Sequence, residues 1–232
     1  YPDKPVKANN TFFTKIEYSG HPLEVKKPKR FSWSDGFYWA ETETGLPWVG
    51  NISVLNGADI WWPCKDHPSD EPDSMAINIR VDNRLKVAAN GKLRGITHHN
   101  DNTNTYRWFV STPINNYSVT MNIAPYIQID TTFYSVSGES FPFSFWAIPE
   151  HYKAARNQFP HFVENMKFLE QLLGPYPFRI DKYGSAETYY LGMENQSIIA
   201  YGSTFELNEW GFDNLHFHEL THEWFANLVT AR

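Results

Sequence analysis

The stretch LHFHELTHEWFAN, residues 215–227, holds two histidines four positions apart with a glutamate between them. On an α-helix, residues four apart lie one above the other, so His218 and His222 project both imidazoles from one face toward a single divalent ion. Glu219, next to the first imidazole, stands where a general base reaches water at that ion. Phe217, Leu220, Trp224 and Leu228 form an apolar stripe elsewhere on the same surface. This pattern predicts a helix over 214–228, anchored in a core while the histidine pair faces a cleft, with Asp213 or Asn214 as its cap. His216 points away from the pair and reads as a solvated surface histidine. The competing reading is a surface helix on which two of the chain's nine histidines coincide.

Upstream, the pattern changes twice. From about residue 11 to 148, short aromatic and β-branched runs such as MAINIRV (75–81), TYRWFVSTP (105–113) and YSVTMNIAPYIQI (117–129) alternate with turn residues and read as strands. Asn90-Gly91 is a tight-turn signal, and HHNDNTNT (98–105) is the next loop. Helical spacing begins near Pro149: Phe162, Val163, Met166, Leu169 and Leu173 share one face, and Gly174-Pro175 stops the run. Strands are predicted at Ile180–Ala186 and Ser197–Ala200, ahead of the histidine helix. The expectation is an α+β chain, with an antiparallel β domain over 1–149 and a second domain over 150–232.

Composition narrows the function. The 232 residues are 41% hydrophobic and 17% aromatic, ample for a core. Twenty Lys and Arg against 26 Asp and Glu leave a formal charge of -6 without a basic stripe, which argues against nucleic acid as a partner. The longest apolar run, near FPFSFWAIP (141–149), falls short of the ~20 residues that cross a bilayer, so no membrane span is expected. A first residue of Tyr1 in place of Met fits a processed product, which leaves a periplasmic or secreted origin open. Cys64, the single cysteine, excludes an internal disulfide framework and reads as a small hydrophobe. Asp66, Asp70, Glu71 and Asp73 read as a solvated, turn-rich loop, with Ca²⁺ as the alternative.

A second segment, LGMENQ (191–196), gives the histidine pair a context. Alone, Glu194 is an ordinary loop charge. GMEN followed by HExxH, in that order, resembles the zinc aminopeptidases of the aminopeptidase N and leukotriene hydrolase family. LPWVG (46–50), WWPCKDHPSDEPDSM (61–75) and VAANGKL (87–93) resemble the later part of that family's N-terminal β domain, and FLEQLLGPYPF (168–178) resembles the first helix of its thermolysin-like catalytic domain. The resemblance implies one Zn²⁺ ion held by His218 and His222, Glu219 as general base, and Glu194 on the free α-amino group of a peptide, with Gly192, Met193 and Asn195 along the substrate backbone.

The resemblance also implies departures and missing parts. Leu191 stands where the family motif has Gly, Val54 where the β domain supplies a substrate-binding Gln, with Asn56 a weaker substitute, and Ala226 where WFGN would have Gly. The third zinc ligand, a Glu on the following helix, and the oxyanion-stabilising Tyr are both expected beyond Arg232. The chain thus reads as an internal piece of a zinc-dependent metallo-aminopeptidase acting on peptides with a free N-terminus, inactive when isolated. The alternatives are a catalytically inactive binding module and a zinc endopeptidase.

Overall fold

A computed structural model describes residues 5, 7–67, 69–202 and 205–230. Nine strands form among the described residues before residue 148: β1 (Gly36–Glu41), β2 (Pro47–Ile52), β3 (Met75–Asp82), β4 (Lys86–Ala89), β5 (Lys92–His98), β6 (Thr103–Val110), β7 (Met121–Ala124), β8 (Ile127–Tyr134) and β9 (Ser140–Ala147). The first seven form two antiparallel sheets, ordered β1-β2-β7-β4 and β3-β6-β5. Inward-facing Ile77, Ile79, Tyr106 and Trp108 of one sheet share a core with Val49, Val87, Ala89 and Ile123 of the other. Burying each large apolar side chain there contributes roughly 1.5–3 kcal/mol, which pins the register of both sheets.

Asn90-Gly91 does turn the chain, but it does not close a hairpin. It passes the backbone from β4 in one sheet to β5 in the other. Gly91 has φ 73, and a Cβ there would lie 2.1 Å from the Phe109 carbonyl oxygen, so only glycine fits. The next loop, between β5 and β6, does close a hairpin.

After residue 150 come α1 (Tyr152–Leu173), β10 (Tyr183–Glu187), β11 (Gly192–Met193), β12 (Ile199–Tyr201) and α2 (Asn214–Thr221). β8 and β9 join these later strands in a five-stranded sheet, ordered β11-β12-β10-β9-β8. One sheet therefore takes strands from both sides of residue 149. β9 and β10 run parallel, which requires a crossover between them, and α1 supplies it. Phe162, Met166 and Leu169 of α1 bury against Phe143, Phe145, Tyr183 and Tyr201 of the sheet. No helix of the described residues is long and apolar enough to cross a membrane.

Three boundaries differ from the sequence reading. The first late strand starts at Tyr183, because the preceding residues form a turn in which the Asp181 N–H donates to the Phe178 carbonyl and Ile180 is exposed. The next starts at Ile199, because Ser197 has φ 62, outside the range of a strand. The predicted 214–228 helix ends at Thr221. Past His222, backbone N–H groups reach back five residues, from Asn227 to His222, Leu228 to Glu223 and Val229 to Trp224, and Ala226 at φ 136 cannot be helical. Leu228 consequently leaves the apolar stripe and is 57% exposed.

Candidate metal centre

α2 is held at its start and along its inner face. Asp213 Oδ1 accepts from the His216 N–H at 2.9 Å as an N-cap, while its Oδ2 accepts from Gln158 Nε2 at 2.8 Å and from the Tyr201 hydroxyl. Leu220 and Trp224 are buried against the sheet and α1, and Phe217 is partly buried. His216 is the correction here. It is 0% exposed, stacks on Phe162 at 3.7 Å, accepts from Asn165 Nδ2 at 3.0 Å and donates from Nε2 to the Tyr183 hydroxyl at 3.0 Å. Burial drives its pKa well below the ordinary imidazole value, so it is a neutral core residue.

The inner anchoring leaves the other face of α2 to His218 and His222. Their Nε2 atoms lie 3.2 Å apart and their rings stand at 87°. His222 Nδ1 lies 2.9 Å from the Phe225 carbonyl oxygen, which only accepts, so Nδ1 carries the proton and Nε2 presents its lone pair. Two imidazole nitrogens on a tetrahedral ion at ~2.1 Å would sit roughly 3.4 Å apart, close to the separation seen. With Glu219, these residues offer ligand atoms within 4.8 Å of one another, and a nitrogen-rich set with one adjacent carboxylate suits zinc.

Glu219 is 6% exposed. Burial first, and the nearby charge of Glu194 second, push its carboxyl up to about 8, and a cation at the histidines opposes that rise. Gly192 of β11 lies directly against it: a Cβ at this position would be 2.4 Å from Glu219 Oε1 and 2.8 Å from Leu215 Cδ1. The glycine of GMEN thus lets the segment carrying Glu194 approach α2.

The remaining candidates separate by direction. Glu194 is partly exposed, and the phenol of Tyr117 lies beside it, its pKa raised by burial and then by the Glu194 charge. The Met193 side chain is 1% exposed in a cluster with Tyr38, Ile52, Tyr190 and Ala200, so only its backbone can meet a ligand. Asn195 is buried, donating from Nδ2 to the Ser118 carbonyl at 3.4 Å, and its Oδ1 has no hydrogen-bond partner among the described residues. Val54 packs against the cluster that holds Met193, while Asn56 is exposed and its N–H donates to Asp35. Leu191 is exposed beside the motif.

Other residues at the site carried no signal in the sequence. Asn227 donates to the Glu194 carbonyl at 2.7 Å, and Glu223 accepts from the Ser197 N–H at 2.8 Å. Lys182 donates to the Ser197 carbonyl at 2.6 Å. Burial pushes Lys182 down to about 7 and Glu223 up to about 8.

Comparison with known proteins gives this geometry relatives. No protein-family model matches the chain. It is 26% identical over 233 residues to leucine aminopeptidase 2 of Vanderwaltozyma polyspora, a match covering 99% of this chain and 33% of the relative. Among solved structures it resembles the M1 zinc metallopeptidase of Deinococcus radiodurans, with TM-score 0.64 and 22% identity over 83% of this chain and 42% of that one. It also resembles a point mutant of a two-domain M1 zinc metallopeptidase bound to L-tryptophan, with TM-score 0.66 and 21% identity over 91% of this chain and 46% of that one. The chain spans about a third of the curated relative and less than half of these structures. These likenesses agree with the family resemblance read from GMEN and HExxH, and the α+β fold matches the N-terminal domain and the start of the catalytic domain of the M1 peptidase structures.

Proposed function

We propose that this chain is the part of a zinc-dependent metallo-aminopeptidase that carries two metal ligands, the general base and the amine anchor. The observation that carries the reading is the packing of Gly192 against Glu219, which sets the GMEN segment beside the HExxH helix. In this reading residues 1–149 are the later part of a β domain and residues 150–232 begin the catalytic domain. His218 and His222 would hold the ion through Nε2. Bound there, zinc would supply a Lewis acid for the scissile carbonyl and a means of acidifying water near neutral pH.

The chain's own residues do the rest. Glu194 pairs with the protonated α-amine of a peptide, and burying that amine without a carboxylate would be strongly unfavourable, so the first peptide bond is the one presented. Glu219 takes the proton from the attacking water and returns it to the departing amine nitrogen. A catalytic zinc has three protein ligands, and the described residues supply two imidazoles beside Glu219; in this reading other parts of the full-length protein would supply the third ligand and the oxyanion donor. Residues 1–232 alone would hold zinc weakly and turn over little substrate.

Variants of Glu219 and Glu194 in the full-length protein separate these roles. Glu219→Ala should keep its zinc and lose ~10²- to 10⁴-fold in kcat, while Glu194→Ala should keep zinc and lose the preference for a free N-terminus. Zinc lost from Glu219→Ala, or turnover left intact, would make Glu219 something other than the base.

A further inference from the structure

The GMEN segment is held through the Glu194 carbonyl and, just beyond the motif, through Ser197, by groups from the stretch that follows α2, from Lys182 just before β10 and from the turn at Gly91. Asn227 Nδ2 donates to the Glu194 carbonyl at 2.7 Å. Three positions on, Ser197 has φ 62, an unfavourable conformation for a residue with a Cβ, and it is contacted from three directions. Its N–H donates to Glu223 Oε1 at 2.8 Å, its carbonyl accepts from Lys182 Nζ at 2.6 Å, and its Oγ accepts from the Gly91 N–H at 2.8 Å. Glu223, Lys182 and Asn227 are all buried, and low dielectric strengthens such contacts.

These contacts bind the backbone on either side of Asn195 and leave the Glu194 carboxylate partly exposed. Glu223 and Asn227 also follow His222 in the chain, so their hydrogen bonds link the stretch after α2 to the Glu194 carbonyl and the Ser197 N–H. The Asn227 amide is itself fixed, its Oδ1 accepting from Ser118 Oγ at 2.8 Å and from Asn115 Nδ2 at 3.4 Å. A peptide has a fixed distance between its α-amine and its first carbonyl, so the height of Glu194 over the histidine pair decides which bond reaches the metal. We propose that Asn227, Glu223 and Lys182 are positioning residues that set Glu194 at a fixed distance from His218 and His222, coupling amine recognition to the metal helix. The proposal rests on the aminopeptidase reading above.

Asn227→Asp tests it in the zinc-loaded full-length protein, because aspartate keeps the size and the acceptor toward Ser118 but cannot donate to the Glu194 carbonyl; Asn227→Ala is the companion variant if the buried charge prevents folding. The KM for an aminoacyl-anilide and the Ki of an amino-acid amide should each rise about tenfold, with kcat within about twofold of the parent. Zinc content and the Ki of acetohydroxamate, which needs the metal and no amine, should stay as they were. Amide hydrogen exchange over residues 194–198 should accelerate, a readout independent of any peptidase activity. Unchanged exchange and unchanged KM would overturn the proposal, and so would faster exchange with KM and Ki unmoved. Zinc loss with both inhibitors weakened together would make Asn227 a structural support of the helix and equally overturn it. A parent protein that binds no amino-acid amide would instead defeat the aminopeptidase reading, while exchange still reports whether the contacts hold the segment.

Discussion

Gly192 shows how much of the site depends on one missing atom. The Cβ of Gly192→Ala would fall 2.4 Å from Glu219 Oε1, so the carboxylate or strand β11 must shift. Overpacking of this kind costs ~1–3 kcal/mol, and a displaced base slows the reaction. We expect a lowered Tm and a kcat reduced by at least about tenfold with zinc retained; unchanged kcat would show that the two segments do not need this contact. Ala226 is the opposite case, a residue with a Cβ at φ 136 where the family pattern has Gly. Ala226→Gly should stabilise the protein by about 1 kcal/mol in chemical denaturation, and a loss of stability would place the strain elsewhere. The sequence displayed the grouping of His218, Glu219 and His222 because it depends on local helical spacing. His216 was misread because its burial depends on Phe162, Asn165 and Tyr183, which the fold delivers from α1 and β10.

Elements whose causes are local were readable in advance, and those fixed by distant partners were not. α1 followed from one apolar face and a Gly174-Pro175 stop, whereas α2 ended early because Glu223 and Asn227 are drawn to the GMEN segment. The junction between α1 and the sheet was equally hidden. Glu187 at the end of β10 is buried, accepts from the Ile148 N–H at 3.1 Å and from His151 Nδ1 at 2.5 Å, and lies 3.7 Å from Arg30. Its hydrogen bond raises the His151 pKa above the usual 6.5, against opposing desolvation and the charge of Arg30, with a smaller contribution from Glu43. A raised histidine pKa means that this stabilisation is fully present below about pH 6.5 and is lost as pH rises through the folded-state value. His151→Asn should therefore reduce stability in mildly acidic buffer and converge on the parent at higher pH. A stability difference that is the same at both ends of the range would show that the pair does not titrate.

Across the whole molecule, the antiparallel β region, the helix that follows residue 150 and the order of the two motifs were readable from pattern. The merging of β8 and β9 into the later sheet was not, because parallel pairing with β10 has no local mark. That sheet, with α1 and α2 packed on it, brings Glu194 near Glu219. The most direct test measures kcat/KM of the zinc-loaded full-length protein for a short peptide with a free N-terminus and for the same peptide N-acetylated, identifying the bond cut in each. Cleavage of the first bond of the free peptide is expected, with kcat/KM lower by about 10² or more after acetylation, since the Glu194 carboxylate would then face no cation. Equal cleavage of the two peptides, or cutting at an internal bond, would contradict it.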